Sequence, residues 1–330
     1  LRNGDAVIAG KFTAAGGVPA PGIARWDGQT WHAMTQTSLA DVNALVPLSD
    51  GSLLVFGGFG SVDGVSVNGA ARWDGSQWHA IGGGVTSSTW EPAMILDARL
   101  CDDGRVAVAG RFDRVGDAAI ATVAFLDPAS ATWSAVGAGV PSMRVANSIA
   151  CAADGSLVVS GSSDSNIYSG GPRMMQRWSP ASGQWSQIRL DPGLENGVVR
   201  AIHVDSTGGI FIAGYYLMRR SDSAGGVFRY DGASWHHVGS NFYSMTECLL
   251  PSASSGLLIC GGVRDGIRKL SGGEWRRLKE TNTVMPWVMR EAADGTVYAL
   301  GATGDYDTEY ETGVFRYGAG WEWVTGGFNR

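Results

Sequence analysis

Short apolar runs closed by a glycine recur along the whole chain, at Gly10, Gly57, Gly110, Gly161, Gly214, Gly262 and Gly301. After a stretch of variable length, each run is followed by an aromatic residue, an Asp-Gly-like turn and a tryptophan. The clearest copies are Arg25-Trp26-Asp27-Gly28-Gln29-Thr30-Trp31 and Arg72-Trp73-Asp74-Gly75-Ser76-Gln77-Trp78. The tryptophan series runs Trp31, Trp78, Trp133, Trp185, Trp235, Trp275, and then Trp321 or Trp323. In six intervals a second apolar run precedes an Asp-Gly-like turn, as Val42 to Val46 does before Asp50-Gly51.

A fixed period of roughly 40 to 50 residues is read before any local motif, because each repeat is one supersecondary unit that buries its apolar face only against its neighbours. Within a unit, strand A (Val42 to Val46) turns at Asp50-Gly51 into strand B (Leu53 to Phe56). A variable loop leads to strand C (Ala70 to Trp73), and a second Asp-Gly turn leads to strand D (Trp78 to Ile81). Asp-Gly between apolar runs is a strong hairpin signal. Repeated four-stranded antiparallel sheets predict an all-β, seven-bladed β-propeller, taken as a single domain over 1–330. Aligning Gly4 with Gly51 sets Leu1 opposite Leu48, so the first blade is expected to lack strand A.

The chain's 49 glycines, 13 tryptophans and 17% charged residues suit short, tightly turned, face-packed strands. No helical apolar period of useful length competes with that reading. The net charge of −6 and the absence of a basic stripe argue against nucleic acid as a partner. No apolar run is long enough for a membrane-spanning helix, so no membrane insertion is expected.

The chain resembles the kelch-type propellers. The residues that carry this are Phe56-Gly57-Gly58 with Trp73 and Trp78, and Trp178 with Trp185. It is also similar to bacterial exported proteins built from Ile-Ala-Arg-Trp-Asp-Gly-x-x-Trp repeats. Ala9-Gly10, Ala109-Gly110 and Ala213-Gly214 keep one glycine of the kelch pair, and Leu126 and Leu270 replace the first aromatic. The resemblance implies the fold. Propellers serve as enzymes, adhesins and scaffolds, so it does not imply an activity.

Repetition separates architecture from chemistry. Arg25, Arg72, Arg177, Arg229 and Arg316 precede the strand-C aromatic, and His32, His79 and His236 follow the unit tryptophan. A catalytic group is needed once, so recurring residues are read as packing or pairing between blades. Eleven of the 13 tryptophans fall at or beside unit landmarks, leaving Trp90 and Trp287 off the pattern in segments between strand D and the next strand A. The D-to-A and B-to-C connections are expected on one face, opposite the Asp-Gly turns. Aromatics interleaved with arginine and carboxylates on such loops are what a ligand or protein interface requires. The candidate binding residues are Trp90, Glu91, Arg144, Asn147, Arg200, Tyr243, Glu247, Trp287 and Arg290.

No cofactor is expected. Asp305, Asp307 and Glu309 offer hard oxygen ligands of the kind Ca²⁺ takes, but strict alternation would set them about 7 Å apart along a strand, which fits an exposed acidic strand better than one cage. No nucleophile elbow, Walker loop, His-Glu-x-x-His or Cys-x-x-Cys occurs. The antiparallel register brings Cys248 opposite Cys260, and Cys101 and Cys151 end strand A in successive units. Both pairings fit an exported protein, with free buried thiols as the alternative. The favoured function is therefore a non-enzymatic binding or scaffold module, secreted, periplasmic or on a cell surface, with a protein or glycan ligand. One alternative is a carbohydrate-active enzyme, sialidase-like hydrolase or polysaccharide lyase, with Arg144, Arg200 and Arg290 as an anion cluster, Glu91 or Glu247 as acid or base and Tyr243 as nucleophile. The other is a structural subunit of a surface assembly, although no feature points to a homo-oligomer.

Overall fold

The computed structural model describes the chain apart from residues 2–3, 40, 90–91, 165–172, 216, 218–225, 241–245, 254–255, 262–265, 279–283, 293, 304–310, 318–320 and 329–330. It is a seven-bladed β-propeller fold, all antiparallel, and its one helical element among the described residues is the 3-10 turn Leu194–Asn196. The first blade has three strands, Ala6–Ala9, Ile23–Trp26 and Trp31–Ala33, corresponding to B, C and D. Blades 2 to 7 each pair in the order A-B-C-D. Their A strands are Val42–Pro47, Met94–Leu100, Val145–Cys151, Val198–Val204, Cys248–Ser252 and Val284–Glu291. Their B strands are Leu53–Gly57, Val106–Arg111, Leu157–Ser162, Ile210–Tyr215, Gly256–Cys260 and Val297–Thr303. The chain divides into two compact units, Leu1–Arg189 with blades 1 to 4 and Leu190–Phe328 with blades 5 to 7.

The core lies between blades. Strand B is buried along its whole length in blades 2 and 4. Between blades 2 and 3, Leu54 and Phe56 meet Ile95, Val106, Val108 and Phe112. Between blades 3 and 4, Val123 and Phe125 meet Ile149, Leu157 and Trp178. Blades 6 and 7 bury Leu258, Cys260 and Ile267 against Met289, Val297 and Ala299. Each large apolar side chain so placed contributes about 1.5–3 kcal/mol relative to exposure.

The repeated tryptophan is a strap from one blade to the one before. The indole Nε1 of Trp78 donates to the Met34 carbonyl at 2.8 Å, Trp133 to Ile81 at 3.3 Å, Trp185 to Val136 at 3.0 Å and Trp275 to Val238 at 2.7 Å. In every case the acceptor lies three residues beyond the preceding blade's own tryptophan.

The recurring arginine holds its own blade together, which corrects the expectation of pairing between blades. Arg72, Arg177 and Arg229 reach from strand C to Asp50, Asp154 and Asp205 in the A-to-B turn of the same blade, and Arg25 pairs with Asp5 at 2.8 Å. Arg72 also reaches the next blade, donating to the Pro128 carbonyl at 3.3 Å. Burial pushes the Asp205 carboxyl up, but hydrogen bonds from Thr207, Arg229 and the Gly209 N–H outweigh it and hold the pKa at about 2. In blade 3, where Phe125 takes the arginine position, Arg105 from the A-to-B turn lies 3.7 Å over the Phe125 ring and bonds Asp103. The histidines have an architectural role too: His32, His79 and His236 meet Asp27, Asp74 and Asp231 at 2.6, 2.6 and 2.7 Å across the C-to-D turn.

A bulge in strand A explains the glycine landmark. The register slips at Asn43, Leu96, Asn147, Arg200 and Trp287 in blades 2, 3, 4, 5 and 7. The bulge pushes a strand-A carbonyl onto the strand-B glycine. A Cβ on Gly57, Gly110, Gly161 or Gly214 would stand closer than 3.0 Å to that oxygen, on Asp41, Met94, Val145 and Val198 respectively. In blade 6 the sheet register places Gly261 at this position, one residue before the landmark Gly262, which is outside the described residues. In blade 1, a Cβ on Gly10 meets only Phe12, at 4.0 Å.

Both cysteine pairs are disulfides, Cys101–Cys151 joining blades 3 and 4 and Cys248–Cys260 within blade 6. In the chain-entropy model, the separations of 50 and 12 residues correspond to about 4 and about 3 kcal/mol. Reduction with alkylation is therefore expected to lower the urea midpoint, and Cys101→Ser with Cys151→Ser to lower it more than Cys248→Ser with Cys260→Ser. The glycine contact gives a second expectation: Gly57→Ala costs about 1–3 kcal/mol through overpacking, whereas Gly10→Ala stays within about 0.5 kcal/mol. Urea melts of the two variants side by side check it.

Candidate functional site

In blades 1 to 3, D-to-A and B-to-C connections meet each other. Val85–Thr86, between blades 2 and 3, pairs with Arg114–Val115 from the B-to-C loop of blade 3. Two aspartates in B-to-C loops clamp the adjoining D-to-A segment. Asp63 accepts from the Thr35 hydroxyl at 2.7 Å and the Gln36 N–H at 2.8 Å; Asp113 accepts from the Ser88 N–H at 2.9 Å and its hydroxyl at 2.7 Å. Burial raises the Asp63 and Asp113 carboxyls, yet these hydrogen bonds bring both below the ordinary aspartate value.

The bulge places the candidate side chains. A bulge bends the strand and re-aims the inserted residue. Asn147, Arg200 and Trp287 are bulge residues, so they lie inside strand A and not in the connection before it, and Arg290 follows in the same strand A as Trp287. Glu247 occupies the same place in blade 6: it precedes Cys248, which pairs with Cys260 just as Ala201 pairs with Ala213 after Arg200. Four residues singled out separately in the sequence thus hold one repeat position. Arg144 is exposed just before strand A of blade 4, its N–H bonded to the Ser162 carbonyl. Trp90, Glu91 and Tyr243, and the acidic Asp305, Asp307 and Glu309, lie outside the described residues. Among the described residues no cluster of three His, Cys, Asp or Glu is placed to hold a metal.

Blades 5 and 6 bring two of these residues, Arg200 and Glu247, together with Tyr215. Arg200 Nη2 lies 3.6 Å from Glu247 Oε2, and its guanidinium carbon sits 5.3 Å from the Tyr215 ring centre. The Tyr215 hydroxyl donates to Glu247 Oε1. Glu247 is fixed by its backbone, its N–H donating to the Cys260 carbonyl at 2.8 Å beside the disulfide. Burial first, then the Glu247 carboxylate, pushes the Tyr215 hydroxyl up to about 12, so the phenol is a hydrogen-bond donor at neutral pH. Tyr215 is not among the residues singled out in the sequence; its place follows from Gly214 before it, the residue pressed by the bulge at Arg200. In blade 7 Trp287 is 41% exposed, one of the few large apolar side chains left open among the described residues. Arg290 is exposed and donates to the Met289 carbonyl at 2.8 Å.

No protein-family model matches this chain, and no curated protein matches it in sequence. Solved structures match its fold. YCF48 bound to D1 peptide superposes with a TM-score of 0.57 at 12% identity, over 95% of this chain and 96% of that one. PorZ, a surface component of the type-IX secretion system of Porphyromonas gingivalis, gives a TM-score of 0.57 at 12% identity, over 90% of this chain and 44% of PorZ, so this chain spans less than half of that protein. At such identity the likeness is one of fold alone. No helix among the described residues is long and apolar enough to cross a membrane.

Tyr215 holds its proton more tightly in the folded state, so its contribution to stability is complete below the ordinary tyrosine value of 10.0 and is lost as pH rises through about 12. A spectrophotometric titration is expected to show one tyrosine ionising near 12 that is absent in Tyr215→Phe, and Glu247→Gln is expected to bring that step down.

Proposed function

We propose that the face carrying the strand-A bulges and the B-to-C loops is a binding face, and that the protein is a non-enzymatic recognition or scaffold module for a protein or glycan ligand. The observation that carries this reading is the placing of Arg200, Glu247 and Trp287 at one repeat position on blades 5, 6 and 7, with Trp287 exposed. A rigid frame holding varied side chains at equivalent points suits recognition, because little order has to be acquired on binding. The peptide held by YCF48 on a similar fold is consistent with this use. Two disulfides support an oxidising compartment outside the cytoplasm, as does the surface location stated for PorZ. The kelch-like repeat reading and a role in a surface assembly belong to the same proposal.

A second reading, a carbohydrate-active enzyme, draws on the Tyr215–Glu247 pair, with Tyr215 in the nucleophile role expected of Tyr243. Against it stands the raised Tyr215 pKa, which keeps the phenol protonated. Turnover of an acidic glycan that disappears in Arg200→Ala would favour it over simple binding.

Pull-down of surface or secreted ligands by the folded chain is expected to be lost, by at least about tenfold in affinity, when Trp287→Ala and Arg290→Ala are combined. Unchanged binding by the double variant, with an unchanged urea melt, would remove the centre of the reading.

A further inference from the structure

The strip on blades 5 to 7 also carries information on the class of ligand, an inference that rests on the binding-face reading. The A strands of these blades pack side by side within one compact unit. Arg200 and Glu247, at equivalent points on blades 5 and 6, are 3.6 Å apart at their charged ends. The Glu247 carboxylate has the Arg200 guanidinium and the Tyr215 phenol beside it, and Trp287 holds the equivalent repeat position on strand A of blade 7, the next strand packed against that of blade 6.

We propose that this strip binds a neutral glycan, one sugar ring stacking on Trp287 while adjacent hydroxyls bond the Arg200–Glu247 pair. The pair presents donors and acceptors next to each other, and a sugar hydroxyl both donates and accepts, so vicinal hydroxyls answer it group for group. At 3.6 Å the ion pair is longer than a hydrogen bond, and the Arg200 and Glu247 side chains are 41% and 24% exposed, so the guanidinium and Glu247 Oε2 can be bridged by a ligand. Tyr215 donates to Glu247 Oε1 and so restrains the orientation of the carboxylate. The charges of Arg200 and Glu247 cancel, so the pair itself selects neither an acidic nor a basic peptide side chain. The net charge of −6 further disfavours uronic or sialic acid polymers by long-range repulsion. The flat apolar face of a pyranose supplies the complement to an indole that would otherwise stay exposed to water.

The test is a glycan array followed by calorimetry on the full chain, with neutral hexasaccharides (cellohexaose, laminarihexaose, mannohexaose), the acidic hexagalacturonate and sialyllactose, and a random peptide array in parallel. A neutral glycan is expected to bind. Trp287→Ala and Glu247→Gln are each expected to weaken it at least about tenfold with an unchanged urea midpoint, whereas His79→Ala, on the opposite turns, leaves it unchanged. Binding of acidic sugars alone, no neutral binding across the array, or neutral binding indifferent to both variants overturns the glycan assignment. Trp287-dependent peptide binding without sugar binding overturns the glycan assignment and leaves the binding face intact. No Trp287-dependent binding of either kind overturns both.

Discussion

The close approach of the start of strand A to a strand-B glycine is the constraint on which blades 2 to 5 depend. A carbonyl oxygen of strand A lies where a Cβ of Gly57, Gly110, Gly161 or Gly214 would have to be. Any larger residue would force the strands apart or remove the bulge. Where the bulge occurs, in blades 2 to 5 and 7, one strand-A residue is inserted out of the ordinary alternation. The landmark of the fold and the variable point of the candidate site are therefore two sides of one backbone contact.

Two further repeated devices keep that contact in place. Tryptophan straps bind blades 2, 3, 4 and 6 to a carbonyl of the blade before, while arginine and aspartate pairs brace blades 1, 2, 4 and 5 internally. Blade 3 shows that the brace is a physical requirement more than a sequence rule: Phe125 replaces the arginine, and Arg105 supplies the cation from the facing turn over the Phe125 ring. Such exposed pairs contribute little each. Their value lies in fixing the turn geometry, because the same aspartates also accept N–H groups within their own turns, as Asp50 does from Ser52 at 2.9 Å.

Arg200, Tyr215 and Glu247 are the point where this regular frame becomes particular. Bulge residues on blades 2 and 4 are asparagines, and Asn43 uses its amide to bond the Ile95 carbonyl of the next blade. On blades 5 and 6 the same place holds opposite charges, and they meet each other instead of the backbone. The frame thus tolerates a polar strap or a charged pair at one position, which is how a repeat fold acquires a distinct surface without changing its core.

From the sequence alone the seven units, their strand order and the partial first blade were legible, because glycine, tryptophan and Asp-Gly turns answer to local backbone geometry and recur with it, whereas the choice between disulfides and free buried thiols was left to the structure. The filter that set aside recurring arginine and histidine as architecture also held, although the arginines brace their own blade. What only the tertiary structure decided was the bulge, which moved Asn147, Arg200 and Trp287 from the expected connections into strand A and aligned them with Glu247. It decided equally that Tyr215 is the partner of Glu247. A bulge adds one residue to one strand without any composition signal, and side-chain meetings between blades depend on sheet packing across separations of tens of residues, which local pattern does not encode.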